Sequence, residues 1–316
     1  MSRLHPAAVS IAIALSCSVA AGSAGSPQQG SWRPFPVDRV QRRPNSPAWV
    51  TPAMVKEFGT HLVEIAEVFK RTPFLAAPQG WVMFQHPDVH SAEEWSHPRG
   101  DRHWPISGAL QLRASNFEPD GRTVYDTGTA FVINIGVNDL SCALDNNGPW
   151  AEDAAGTMFR EVETPAESEH GFPAYQQCLL ITHRTEPMFV PVTLERVIRV
   201  RIAAIQKRVT ELKSVMDTSA SEAIAKQLET MLAGLGAPDR RGAAFAQGGL
   251  LDNPLSFREG RRVVEANPAF FDAARPSDVQ LLTLFVDCMR EGCTSRPAID
   301  NIIRQLDWKA VDALVR

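Results

Sequence analysis

Long apolar runs are scarce in this 316-residue chain. One stands out, from Ala7 to about Ala21, and it is shorter than the ~20 residues that a membrane-spanning helix needs. No later segment is apolar for long enough to cross a bilayer. Charge of one sign is scarce too: 32 Lys and Arg stand against 36 Asp and Glu, for a formal net charge of −4. Such a chain lacks the basic surplus with which nucleic-acid binders neutralise phosphate. Its largest basic cluster, Arg196, Arg199, Arg201, Lys207 and Arg208, alternates with apolar residues and reads as the wet face of a helix. The familiar catalytic fingerprints are missing. There is no G-x-S-x-G elbow, no G-x-G-x-x-G, no phosphate-binding G-x-x-x-x-G-K-[ST] and no internal repeat.

What is present at the N-terminus is a secretory pattern. Arg3 precedes the apolar run, and small residues follow, with Ala21 or Ala24 suited to a signal peptidase. Residues 1–24 are therefore read as a signal peptide, and the chain as exported, periplasmic or extracellular. Lipidation of Cys17 is the lesser alternative, because Ala14 stands where a lipid-attachment site carries a large aliphatic residue. Four cysteines remain after cleavage: Cys142, Cys178, Cys288 and Cys293. An even number in an exported chain favours disulfides. Cys288 and Cys293 flank the turn-like Met-Arg-Glu-Gly, a natural local bridge that would leave Cys142 to pair with Cys178. A zinc site of four thiolates is the rival, and the lack of any C-x2-C knuckle speaks against it.

The densest polar stretch is QHPDVHSAEEWSHPRGDRHWP, Gln85 to Pro105. It holds His86, His90, His97 and His103, half of the eight histidines. On a helix, His86, His90 and Glu94 would share one face, and His97, Asp101 and His103 would add a loop; zinc or copper would suit such ligands. The bland alternative is a polar surface loop. Asp126-Thr127-Gly128-Thr129 looks like an aspartic-protease signature, but that chemistry needs two carboxylates, and one copy would require a homodimer. Glu161, Glu163, Glu167, Glu169 and His170 read as a solvated acidic loop.

Residues 25–50, rich in Pro, Ser, Gly and Arg, form an extended or disordered lead-in. Thr51 then caps a helix with Pro52 at its first position, and Val55, Phe58, Leu62, Ile65, Ala66 and Phe69 recur at helical spacing. A strand-rich part follows. It comprises 80–85, 109–114 and 123–138, the last two as a hairpin, then 177–182 and 188–192. Thr193 caps a long helix with a seam of Ile198, Ile202, Ile205, Val209, Leu212 and Met216. Ser219 starts a second helix with Glu222 as a capping box, making a helical hairpin that ends at Gly234 and Gly236. Residues 237–260 show no periodicity and read as a loop or linker. Residues 261–316 read as a C-terminal helical segment: a small helix near Pro268–Ala274, an apolar run at 279–289 and helices from Pro297.

Strands followed by helices, without regular βαβ alternation, argue for an α+β fold. The core, residues 51–236, is expected to be an antiparallel sheet packed by the N-terminal helix and the hairpin. The stretch Gly171 to Ile198, GFPAYQQCLLITHRTEPMFVPVTLERVI, with the preceding NDLSCALDNNGPWAED, resembles a segment of uncharacterised exported bacterial proteins. That resemblance implies export and a strand-to-helix core, and no activity. The leading functional expectation is a cell-envelope binding or interaction protein without catalysis, whose partner is an envelope protein, a small ligand or a second copy. Trp32, Trp49, Trp81, Trp95, Trp104 and Trp150 offer surfaces for it, though loop aromatics are more often core. The alternative is a metal-dependent hydrolase using His86, His90 and His103, with Glu94 or Asp101 activating water. No cofactor is expected, apart from the zinc that the metal-hydrolase reading would require.

Overall fold

The computed structural model describes residues 29–44, 46–91, 104–117, 129–145, 148–162, 166–167, 171–175, 178–252, 255–286 and 296–316. The fold is α+β, with two antiparallel sheets rather than the single sheet expected. Helix α1 spans Pro52–Lys70, and Thr51 Oγ1 accepts from the Met54 amide at 3.2 Å, satisfying a donor that no helical carbonyl can reach. A short α2, Pro73–Ala76, follows. Strands β1 (Trp81–Ser91), β2 (Ile106–Asn116) and β3 (Thr129–Val137) form an antiparallel meander. They continue into a seven-stranded sheet with β12 (Leu282–Val286), β8 (Cys178–Ile181), β7 (Pro173–Tyr175) and β6 (Ala166–Glu167), in the order β1-β2-β3-β12-β8-β7-β6.

The second sheet has β10 (Phe245–Ala246), β11 (Arg261–Ala266), β5 (Gly156–Arg160) and β4 (Ala151–Asp153), with β9 (Phe189–Pro191) also paired to β11. Three corrections follow. Residues 237–260 are not a bare linker: they hold helix α5 (Ala237–Arg241) and β10, and bury Ala244, Ala246 and Phe257. The C-terminal segment is not only helical, since β11 and β12 come from it. Residues 268–274 form hydrogen-bonded turns instead of a small helix.

Alternation along the strands sorts the core into layers. Leu179 and Ile181 of β8 join one cluster with α1, α6 (Arg296–Gln305) and α7 (Trp308–Asp312), while Cys178 and Leu180 face the second sheet. In β11, Val264 faces that same middle layer and Val263 faces α3 (Leu194–Leu212) and α4 (Ser219–Gly234). Helices, sheet, sheet and helices thus stack as four layers. Phe58, Leu62 and Ile65 of α1 are fully buried, each stabilising by ~1.5–3 kcal/mol. The helical hairpin is present, and Thr193 Oγ1 accepts from the Arg196 amide at 3.4 Å. At α4 the capping groups sit one residue earlier than expected: Thr218 is the cap residue, its hydroxyl donates to Glu222 at 3.2 Å, and Asp217 Oδ1 accepts from the Ser219 amide at 2.9 Å.

Two polar devices fix the sheets. Asn138, buried and with φ 53°, ends β3. Its Nδ2 donates to the Ile106 and Asp278 carbonyls, both at 2.8 Å, and its Oδ1 accepts from the Gln280 and Leu281 amides. All of its hydrogen-bonding capacity toward the backbone is used, which is what a buried amide requires. Cys142 and Cys178 form a disulfide within the middle layer; Cys288 and Cys293 lie outside the described residues.

Candidate functional site

The lead-in is extended, and it is tied down. Ser31 to Arg33 pairs in parallel with β1 through Met83 N to Ser31 O (2.9 Å) and Arg33 N to Met83 O (2.8 Å), and Gln85 Nε2 donates to the Arg33 carbonyl at 2.8 Å. This strap covers the outer edge of β1, which would otherwise expose unpaired backbone groups. Trp32 Nε1 anchors it to the Leu75 carbonyl at 2.8 Å. Further on, Arg42 donates to the carbonyls of Val50, Ser46 and Pro47 and folds the strap back toward the start of α1.

Between strap and helix lies a cavity of about 570 Å³. Phe35, Val37 and Val40 wall it on the strap side, and Pro52, Val55, Lys56, Gly59, Thr60 and Val63 on the α1 side. The α1 residues recur at steps of three and four, so they form one stripe, rotated away from the stripe of Phe58, Leu62 and Ile65 that faces the core. Gly59 is needed for the approach: a Cβ there would stand 2.5 Å from Val40 Cγ1. The lining is mostly apolar. Lys56 is exposed at the rim and has no ion-pair partner among the described residues, whereas Arg42 is committed to backbone carbonyls. The cavity is open to solvent on the side of Val37, Lys56 and Thr60; clefts of a few hundred Å³ with sparse polar groups are typical of small-molecule sites.

The strap also lays a ladder of cations along β1. Arg33 stands over the Phe84 ring at 5.9 Å, Arg39 approaches His86 Nδ1 at 3.3 Å, and Arg43 is paired with Asp88. Phe84, His86, Asp88 and His90 alternate along one face of the strand. Burial, then the Arg39 and Arg113 charges, hold the His86 imidazole below its ordinary pKa of 6.5. His86 is therefore a neutral acceptor for Arg39 at neutral pH. Across the strand, Gln111 Nε2 donates to Asn134 Oδ1 at 2.9 Å, continuing the polar face.

This arrangement corrects the helical expectation for the histidine segment. His86 and His90 lie on β1, where four residues span about 13 Å and the side chains stand parallel. They do not converge on one ion. Glu94, His97, Asp101 and His103 lie outside the described residues, as do Asp126, Thr127 and Gly128. Among the described residues no group of three or more His, Cys, Asp or Glu is arranged to hold a metal. Glu161 does not behave as part of a solvated loop: its carboxylate is largely buried and paired with Arg262 at 2.5 Å. Of the tryptophans, Trp104 is buried in the middle layer, Trp81 packs edge-on against Phe131 at 5.5 Å, and Trp150 Nε1 donates to the Gly248 carbonyl. They are core more than platform. The strap cavity was not anticipated; its sequence trace is Phe35, Val37 and Val40 in a Pro- and Arg-rich lead-in, with a glycine in the middle of α1.

No family model matches the chain, and neither a curated protein nor a solved structure is similar to it.

Proposed function

We propose that this is an exported cell-envelope binding protein whose strap cavity takes a small apolar ligand carrying one acidic group. The cavity carries the reading: about 570 Å³, walled by valine and phenylalanine, with Lys56 as a cation free to meet a carboxylate at the rim. A long-chain carboxylic acid has that chemistry. The Cys142–Cys178 disulfide supports an oxidising compartment. No described helix is long and apolar enough to cross a membrane. The resemblance of the 171–198 segment to exported bacterial proteins points the same way.

Displacement of a fluorescent fatty acid from the purified chain tests this. Saturable binding that Thr60→Trp abolishes, by filling the cavity, and that Lys56→Glu weakens about tenfold supports the full reading; tenfold corresponds to about 1.4 kcal/mol for one charge contact. Binding that is indifferent to Thr60→Trp places the ligand elsewhere and overturns it. Sensitivity to Thr60→Trp without sensitivity to Lys56→Glu keeps the cavity and rejects the acid.

A further inference from the structure

The polar face of β1 holds a second constellation, separate from the cavity. Asp88 and His90 stand two residues apart on that face, with His90 Nε2 3.3 Å from Asp88 Oδ2. Asp88 is itself gripped by Arg43 of the strap. Directly across the ladder from His90 is Ser107 of β2. Cross-strand partners point to the same side with Cβ atoms about 4.5–5.5 Å apart, so Ser107 stands beside His90, with no hydrogen bond from its hydroxyl to Nδ1 in this structure. Ser107 is 4 % exposed. His90 Nδ1 is buried and has no hydrogen-bond partner. A proton on Nε2, facing the carboxylate, leaves Nδ1 with a lone pair directed away from Asp88. An unpartnered buried acceptor asks for an explanation.

We propose that Ser107 is a nucleophile, His90 Nδ1 its general base and Asp88 the positioning carboxylate of a site that hydrolyses carboxylic esters. The residue types and their order in space are those of such a triad, and the Ser107–His90 hydrogen bond would have to form as substrate binds. His90 takes the hydroxyl proton as Ser107 Oγ bonds to the ester carbonyl carbon. The adduct collapses, its C–O bond breaks, and the alcohol leaves with the proton from His90. Water then adds to the acyl-serine by the same route, its proton passing to His90, and the acid departs as Ser107 Oγ recovers that proton. Water is the one co-reactant, and no oxidant or reductant is required. Asp88 holds the imidazole in the tautomer that keeps Nδ1 unprotonated and steadies the imidazolium formed in each half-reaction.

The test uses the full chain with diisopropyl fluorophosphate, the label located by peptide mass spectrometry, and p-nitrophenyl butyrate turnover in parallel. One label on Ser107, none on Ser107→Ala, and turnover lowered about 100-fold or more by His90→Gln is the expected result. Asp88→Asn should lower the rate and displace the acid limb of the pH–rate profile, which a merely structural carboxylate would leave in place. If a variant fails to fold, the position of the label on the unaltered chain still decides. Absence of label from Ser107, or turnover unchanged in folded Ser107→Ala, overturns the proposal.

Discussion

Seating of the strap on α1 can be tested at one atom. Gly59 sits inside the helix, where glycine costs about 1 kcal/mol relative to alanine. Gly59→Ala should therefore stabilise the helix itself. The new methyl, however, would meet Val40 Cγ1 at 2.5 Å. Val40 is a short, β-branched side chain with few rotamers to escape into, and overpacking of this kind costs about 1–3 kcal/mol. The single substitution is predicted to destabilise the chain by up to about 2 kcal/mol. In a Val40→Ala background the clash is gone, and the same change should stabilise by about 0.8–1 kcal/mol. The coupling between the two positions is then about 1–3 kcal/mol, read from urea unfolding of the four proteins in the cycle. A coupling below about 0.5 kcal/mol, with Gly59→Ala stabilising in both backgrounds, would mean that the strap does not rest on α1 and that the cavity is not walled as described.

Three further outcomes follow from the same contacts. The folded-state pKa of His86 lies below its ordinary value of 6.5 because burial and then Arg39 and Arg113 disfavour the cation, so the unfolded chain binds the extra proton first. The stability tied to neutral His86 is complete above about pH 6.5 and declines as pH falls toward the folded pKa; His86→Asn should flatten the thermal-unfolding profile over that window, and an unchanged profile would remove His86 from the account. Reduction of Cys142–Cys178, separated by 36 residues, should cost about 2–4 kcal/mol in denaturant unfolding from loop closure. Arg196 bonds Asp153 through both Nε (2.7 Å) and Nη2 (2.6 Å) and also meets Glu265 at 2.7 Å, linking α3 to two strands of the second sheet. Discounted for partial exposure, Arg196→Ala should cost about 1–3 kcal/mol, with Arg196→Lys recovering only part, since lysine cannot reproduce the paired contacts.

The elements that were readable from the chain are those governed by local chemistry. Thr51 with Pro52, and Thr193, announce helices through caps that need no tertiary partner. The seam from Ile198 to Val209 predicts the hairpin because one side of the helix pair is wet. Strands β11 and β12 were hidden for the opposite reason. Arg-Arg-Val-Val-Glu-Ala buries Val263 and Val264 on opposite faces between two layers, so no alternation marks it. The run around Leu282–Val286 is apolar but for Thr283, and periodicity cannot separate such a short apolar strand from a buried helix. The histidine segment did carry a strand signal that the helical reading overlooked: Gln85, Pro87 and Val89 are buried, and His86, Asp88 and His90 alternate with them. Pro87 fits there because β1 is the outermost strand of its sheet. The strap cavity depends on pairing between residues 31–33 and Met83, far apart in sequence, and on the missing Cβ of Gly59. Neither leaves a local pattern in a Pro-rich lead-in.

The most direct measurement is the native mass of the chain isolated without detergent, beside Thr60→Trp. Binding in the cavity predicts an excess mass of one small ligand, removed by organic extraction and absent from Thr60→Trp. The bare mass in both proteins, with no change in unfolding temperature on adding long-chain carboxylic acids, would contradict it.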